Sequence, residues 1–175
     1  MITYILIALV ILIIGLLAYA STKPNSVRYE RSAVINAPAE KILPHIADFH
    51  KWLAWSPYER LDPNMKRGFS GADSGKGAKY NWEGNNKVGM GTMEVIEVAP
   101  TVVKVDLRFI RPFKNDCLAT FTFVPQGSAT NVTWTMEGPN LFMGKVMSVF
   151  LNMDGMIGKA FAEGLGNLKG VVEKG

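Results

Sequence analysis

The sequence predicts an α+β fold in which a curved antiparallel β-sheet of about seven strands surrounds a long C-terminal helix. Two observations predict this fold, and a third predicts an additional N-terminal helix. An apolar stripe with steps of three or four residues runs from Lys145 to Val172 and indicates one long helix. The segments before this stripe alternate apolar and polar residues, as half-buried strands do. A charge-free apolar run, Ile2 to Ala20, stands apart at the N-terminus and predicts a transmembrane helix.

Composition limits the classes of function. The 175 residues are enough for one domain with a core and an anchor. The net charge of +4 comes from 19 Lys and Arg against 15 Asp and Glu, with none before Lys23 and no basic cluster after it. We therefore expect no nucleic-acid partner, and at most attraction to an anionic lipid surface. Cys117 is the only cysteine, which excludes an intramolecular disulfide.

The apolar run is long enough to anchor the chain in a membrane. Its nineteen residues, at about 1.5 Å each, nearly cover a hydrocarbon core of about 30 Å. Tyr4 and Tyr19 lie near its two ends, where aromatic rings favour the membrane interface. A cleaved signal peptide is the alternative, because Ala18-Tyr19-Ala20 fits a small-x-small cleavage site. The missing basic n-region and the length of the run favour the uncleaved anchor.

The charges after the apolar run predict the side of the membrane on which the domain lies. Lys23, Arg28 and Arg31 follow the apolar run, and the positive-inside rule then predicts a cytoplasmic domain. Cleavage after Ala20 would instead give a secreted or periplasmic protein. We expect an anchor at residues 1–20, a linker at 21–26 and one domain at 27–175.

The elements of this domain follow in order. A strand of about Val27 to Ile35 leads into Asn36, a capping residue, and Pro38, a residue favoured in a first helical turn. Because an interior proline lacks an N–H donor, Pro44 limits this helix. Two short helices, about Pro38–Ala47 and Phe49–Trp55, are the result. Six strands are predicted next: about Lys66–Ser70, Ala78–Glu83, Val88–Ala99, Val102–Phe109, Asp116–Val124 and Asn131–Glu137.

The apolar rows of these strands predict the wall of a binding cavity if they face the long helix. Such a wall is aliphatic, aromatic and rich in methionine, which suits an apolar ligand. Its polar groups would be the Tyr80 hydroxyl, the Trp82 and Trp134 indole N–H groups and the Cys117 thiol. The expected wall residues are Trp55, Tyr80, Trp82, Met90, Phe109, Phe121, Trp134, Met153 and Ile157.

Two carboxylates are possible polar handles. Glu94 shares its parity with Met90, Ile96 and Val98, but a bulge at Gly89 or Gly91 would turn it to solvent. Asp154 borders the helix stripe, where it either faces the cavity or pairs with a basic residue on the helix flank.

Catalytic and metal motifs are not evident, so we predict no catalytic residue, no metal and no cofactor. His45 and His50 do not share a helical face, and no His, Cys or carboxylate cluster has metal-binding spacing. No arrangement of Ser and His suggests a nucleophilic triad. Gly71–Gly77 resembles a phosphate-binding loop but is one residue short and lacks its final Ser or Thr, so we expect a hairpin turn.

Several local segments, together with the order of elements, resemble a known family. The segments are Arg31–Glu40, Asp48–Trp52, Trp55–Pro57, Gly77–Trp82, Val88–Gly91 and Val132–Trp134. They resemble the START-like helix-grip superfamily (SRPBCC) and its polyketide cyclase/dehydrase and lipid-transport branch. The resemblance covers about Val27 to Val172. It implies a deep apolar cavity between sheet and helix, and it carries over no catalytic residue. Members include lipid and sterol carriers, hormone receptors and aromatase/cyclases.

These observations lead to one principal hypothesis and two alternatives. The first is a membrane-tethered domain that binds a hydrophobic, lipid-like or polycyclic small molecule between sheet and C-terminal helix. The two short helices and the Gly71–Gly77 turn would form its mouth. A cyclase- or dehydratase-type enzyme would need Glu94 or Asp154 inside the cavity. The third class is an interaction or regulatory domain with a filled core.

Overall fold

The computed structural model describes residues 1–174 and confirms the predicted α+β fold. One antiparallel sheet of seven strands has the spatial order β1-β7-β6-β5-β4-β3-β2. The strands are β1 (Ser26–Ile35), β2 (Lys66–Gly71), β3 (Ala78–Glu83), β4 (Met90–Ala99), β5 (Val102–Arg111), β6 (Asn115–Gln126) and β7 (Ala129–Pro139).

Five α-helices and a short 3-10 helix at Pro57–Arg60 complete the fold. Asp48 caps α3, because its carboxylate accepts the His50 N–H at 2.9 Å. Helix α1 is the one helix of the described chain that is long and apolar enough to cross a membrane. The helices are α1 (Ile2–Ser21), α2 (Ala39–Ala47), α3 (Phe49–Trp55), α4 (Phe142–Phe150) and α5 (Met153–Lys174).

The prediction of one continuous helix from Lys145 is wrong. The chain leaves helical geometry at Leu151, with φ −120° and ψ 136°, and α5 begins two residues later. Asn152 causes the restart, because its Oδ1 accepts the Gly155 N–H at 2.9 Å and so caps the new helix. Helix α4 packs against α1 instead of the sheet. Phe150, which the stripe placed in the core, is consequently 68% exposed.

A register shift in β4 decides which side chains face inward. Val95 lies opposite Val105 and Val98 lies opposite Val103, so the strand bulges between Val95 and Glu97. Val95 is therefore buried, whereas Ile96 is exposed. The bulge reverses the parity that the sequence predicts for the first part of this strand.

The two ends of the sheet differ in how they are covered. We call the end with Ser26, Asn115 and Pro139 the proximal end, because α1 leaves there, and the end with Ile35 and Gly71 the distal end. Helices α2 and α3 and the C-terminal part of α5 fill the distal end with apolar side chains. Its fully buried residues include Ile35, Ile42, Ile46, Val103, Phe123, Val132, Leu165 and Leu168.

Candidate ligand-binding site

Stacked aromatic rings fill the middle of the interface between sheet and α5. The ring of Trp134 lies between Phe161, at 4.1 Å, and Phe121, at 5.0 Å. Trp52 and Trp55 from α3 meet Trp134 edge-on, at 6.2 and 5.7 Å. We call these five residues the aromatic cluster. Three of the predicted wall residues, Trp55, Phe121 and Trp134, therefore pack against other rings here.

The side chains on the proximal half of the inner face are only half-buried. Tyr29 lies opposite Met136, and Met93 lies opposite Leu107 on the same face. Helix α5, which packs on β1 and β7, adds Met153 and Ile157. Six half-buried side chains make up this surface, which we call the proximal trough: Tyr29, Met93, Phe109, Met136, Met153 and Ile157.

The trough contains three predicted wall residues and three that sequence reasoning missed. Phe109, Met153 and Ile157 were expected, and Trp82 borders Phe109 edge-on at 6.0 Å. Tyr29 was missed although it alternates with exposed residues along β1. Met93 was missed because the bulge in β4 reverses its parity. Met90, also expected, is half-buried at a second register shift, beside Gly91.

The four expected polar groups of the wall have different environments. The Tyr80 hydroxyl donates to Glu59 Oε1 at 2.6 Å, and Trp82 Nε1 donates to the Val88 carbonyl at 2.9 Å. Burial, with a smaller contribution from the charge of Asp116, raises the pKa of the Cys117 thiol to about 11. Among residues 1–174, the Trp134 Nε1–H has no hydrogen-bond partner, although Trp134 is only 4% exposed. An unpaired buried donor costs about 1–3 kcal/mol.

A buried ion pair on the inner face of β2 was also missed. Arg67 Nε lies 2.6 Å from Glu59 Oε2, and the Glu59 side chain is only 8% exposed. Burial and the hydrogen bond to Glu59 raise the pKa of Tyr80. Arg67 shares its face with Phe69, and a charge on an apolar face requires a buried partner. The position of Arg67 in the apolar row of β2 is therefore the sequence signal that predicts a nearby carboxylate.

The two candidate carboxylates lie outside the trough. Glu94 is on the outer face of the sheet, where Lys79 Nζ lies 3.3 Å from it. Asp154 lies in the first turn of α5 at the rim of the trough, and its Oδ2 lies 3.0 Å from Arg31 Nη2. Glu59 is a further carboxylate on the inner face, and both of its oxygens accept hydrogen bonds, from Arg67 and Tyr80.

The distal end, where a mouth was expected, is closed by hydrogen bonds and packing. The Gly71–Gly77 stretch is a hairpin turn, whose Gly75 N–H donates to the Ala47 carbonyl at 2.9 Å. The His50 ring stacks on Phe69 at 4.1 Å, which joins α3 to the same hairpin. These contacts leave the proximal end as the open side of the inner face.

Two surface grooves lie away from the trough. One, of about 280 Å³, lies on the outer face beside Lys79, Glu94, Asp106 and Arg108. The other, of about 330 Å³, lies between α3 and α5 beside Arg60, Asn167 and Lys174. The first groove is lined largely by charged and polar groups, whereas Ala54, Val171 and two glycines also line the second. Among residues 1–174, no group of His, Cys, Asp and Glu could hold a metal ion.

The match to a protein family covers nearly all of the chain after helix α1. Residues 26–173 match the family model described as polyketide cyclase/dehydrase and lipid transport. The chain belongs to this family. No match was found among curated proteins.

Solved structures show the same fold at low sequence identity. The Zhui aromatase/cyclase from Streptomyces sp. R1128 is 12% identical, with a TM-score of 0.63 over 85% of this chain and 94% of that one. A Chromobacterium violaceum protein is 18% identical, with a TM-score of 0.58 over 86% and 99% of the two chains. A Mesorhizobium loti protein is 19% identical, with a TM-score of 0.58 over 85% and 97%. At these identities the likeness concerns the fold alone.

Proposed function

We propose that this family member is a membrane-tethered protein that binds a hydrophobic small molecule, lipid-like or polycyclic, in the proximal trough. The observation that carries the proposal is the half-covered apolar surface at the end of the sheet where α1 leaves the domain. A bilayer is where such ligands partition. A trough at this end would exchange its ligand with the membrane over a short path.

Packing supports binding at the proximal half and not at the centre. The aromatic cluster leaves the centre filled, whereas the methionines of the trough have flexible side chains that can adapt to a ligand. A ligand that buries about 300 Å² of apolar surface there would gain about 7 kcal/mol at about 25 cal/mol per Å². Part of this gain is lost to the entropy of association.

The Trp134 N–H is the proposed polar contact. Trp134 is two residues before Met136 on β7, so the residue lies at the border between the aromatic cluster and the trough. A carbonyl or hydroxyl oxygen on the ligand would satisfy this donor and orient the molecule. This role favours a ligand that carries at least one oxygen on an otherwise apolar body.

Native mass spectrometry with organic extraction tests the proposal. The full chain would be reconstituted into lipid nanodiscs, released in the spectrometer and examined for retained molecules. We expect about one apolar molecule per chain. Ile157→Asp should abolish retention, because it places a charge in the trough.

Ala162→Asp is the matched control, since Ala162 is an exposed residue on the same helix. It adds the same charge and should retain the molecule. Equal retention in both variants would identify annular lipid and contradict the proposal, as would an empty wild-type protein. Circular dichroism of both variants would verify that each is folded.

A filled-core interaction or regulatory domain is the second candidate, and the aromatic cluster favours it. Rings that pack within about 4–6 Å of one another contribute stability without any ligand. An empty wild-type protein in the experiment above would support this candidate.

A further inference from the structure

Exposed apolar side chains lie at both ends of α4. At the start of this helix Leu141, Phe142 and Met143 are exposed, and at its junction with α5 the exposed residues are Phe150, Leu151 and Met156. Phe142 is 51% and Met156 59% exposed. We call these six residues the α4 face. So many large apolar side chains in one short segment are unusual on a surface that meets only water, and they indicate a binding surface.

Helix α4 is fastened beside the last turns of α1. Within α1, Ala20 is buried and Leu16 half-buried, whereas its other side chains are exposed. Asn140 Nδ2 donates to the Pro24 carbonyl at 2.9 Å, and Lys145 Nζ donates to Asn25 Oδ1 at 2.6 Å. These contacts hold α4 at the level where α1 ends.

That level corresponds to a membrane interface if α1 spans the bilayer. Tyr19 is in the last turn of α1, and Lys23 Nζ lies 4.6 Å from the centre of its ring and donates to its hydroxyl at 3.1 Å. A tyrosine and a lysine at the end of an apolar helix are typical of the headgroup region. The α4 face therefore lies beside the acyl boundary.

The charge around the α4 face fits a lipid surface. From Leu141 to Met153 the only charged residue is Lys145. The turn between β5 and β6 is at the same end of the sheet, because Asn115 Nδ2 donates to the Pro139 carbonyl at 3.2 Å. This turn carries exposed Phe113 and Lys114. Apolar and basic side chains together favour an interface with anionic lipids.

We propose that the α4 face inserts into the headgroup–acyl boundary of the membrane that α1 spans. Helix α4 is then an interfacial helix. The domain is held against the bilayer by a second contact and does not swing on the linker alone. Met153 and Ile157 lie on either side of Met156 in the first turns of α5, so the proximal trough opens at the bilayer surface. This inference rests on the proposed membrane anchoring by α1.

Fluorescent labels on the full chain test the inference. Single cysteines would replace Phe142 and Phe150, each carrying an NBD fluorophore, in vesicles of phosphatidylcholine and phosphatidylglycerol with nitroxide-labelled lipids. Cys117 can stay, because it is buried and its raised pKa keeps the thiol protonated and slow to react. We expect blue-shifted emission and several-fold stronger quenching at both positions than at the control, Leu53→Cys. Leu53 is an exposed leucine on α3 that the inference places in water.

A label at Leu9→Cys, in the middle of α1, separates the two proposals. Quenching at this position without quenching at Phe142 and Phe150 would overturn the interfacial face and leave the anchor intact. Absence of quenching at all three positions would overturn the anchor, and the inference with it. Quenching at all three, with Leu53→Cys unquenched, would support both.

Discussion

At Trp134, ring packing and hydrogen bonding have opposite effects on stability. The ring is stacked between Phe121 and Phe161, whereas its N–H is buried without a partner among residues 1–174. Stacked aromatic pairs contribute about 0.5–1.5 kcal/mol each beyond their buried area. An unpaired donor costs about as much as one or two such pairs. The residue therefore stabilises the fold through its ring, while its unpaired N–H offsets part of that gain.

Trp134→Ala should lower the free energy of unfolding by about 3–5 kcal/mol, because it leaves a cavity within the aromatic cluster. Chemical denaturation measures this change. Phe113→Ala is the control, and since Phe113 is exposed its cost should stay below about 0.5 kcal/mol. If Trp134→Ala cost as little as the control, Trp134 would line an open cavity and would not belong to a packed cluster.

At the scale of elements, two glycines on α5 have opposite surroundings. A Cβ at Gly164 would lie 2.9 Å from Trp134 Cζ3 and 3.0 Å from Pro57 Cδ, whereas a Cβ at Gly166 would meet nothing within 4 Å. Gly166→Ala should stabilise the protein by up to about 1 kcal/mol through helix propensity. Gly164→Ala should destabilise it, because rigid rings would have to move. Denaturation curves of the two variants check both signs, and equal effects would contradict the packing of α5 on the aromatic cluster.

The break between α4 and α5 also predicts the effect of a substitution. Asn152→Ala should cost about 1 kcal/mol, because it removes the side-chain acceptor that caps α5. Asn152→Asp keeps an acceptor and should be nearly neutral. Thermal or chemical denaturation compares the two variants. A stabilising Asn152→Ala would mean that the helix is continuous, since alanine favours a helix interior.

At the scale of the whole molecule, α1 should hold the chain in a membrane. We expect the protein to remain in the membrane fraction after alkaline and high-salt extraction, because about twenty apolar residues can span the hydrocarbon core. The membrane-bound form should have the full mass of 19.2 kDa. A soluble form that lacks the first twenty residues would instead support cleavage after Ala20 and contradict the anchor.

Much of the fold was predictable because local pattern determines local structure. Strict alternation located the strands, and every observed strand end lies within two residues of its prediction. Two local features were misread. The spacing of apolar residues is unbroken from Phe150 to Met153. Periodicity alone therefore did not show that the helix stops at Leu151 and that Asn152 caps a new one. The bulge after Val95 changes the parity of β4, and alternation cannot show a register shift against a neighbouring strand.

The sequence by itself determined the strand order along the chain, the apolar N-terminal helix, the hairpin turn at Gly71–Gly77 and the family resemblance. Each depends on residues that are close together in the chain. Only the tertiary structure decided that Glu59 contacts Arg67 and Tyr80. It also decided that α4 packs on α1 instead of the sheet, and that side chains fill the centre of the inner face. These outcomes depend on pairing register and side-chain volumes across distant segments. Periodicity within one segment carries no information about them.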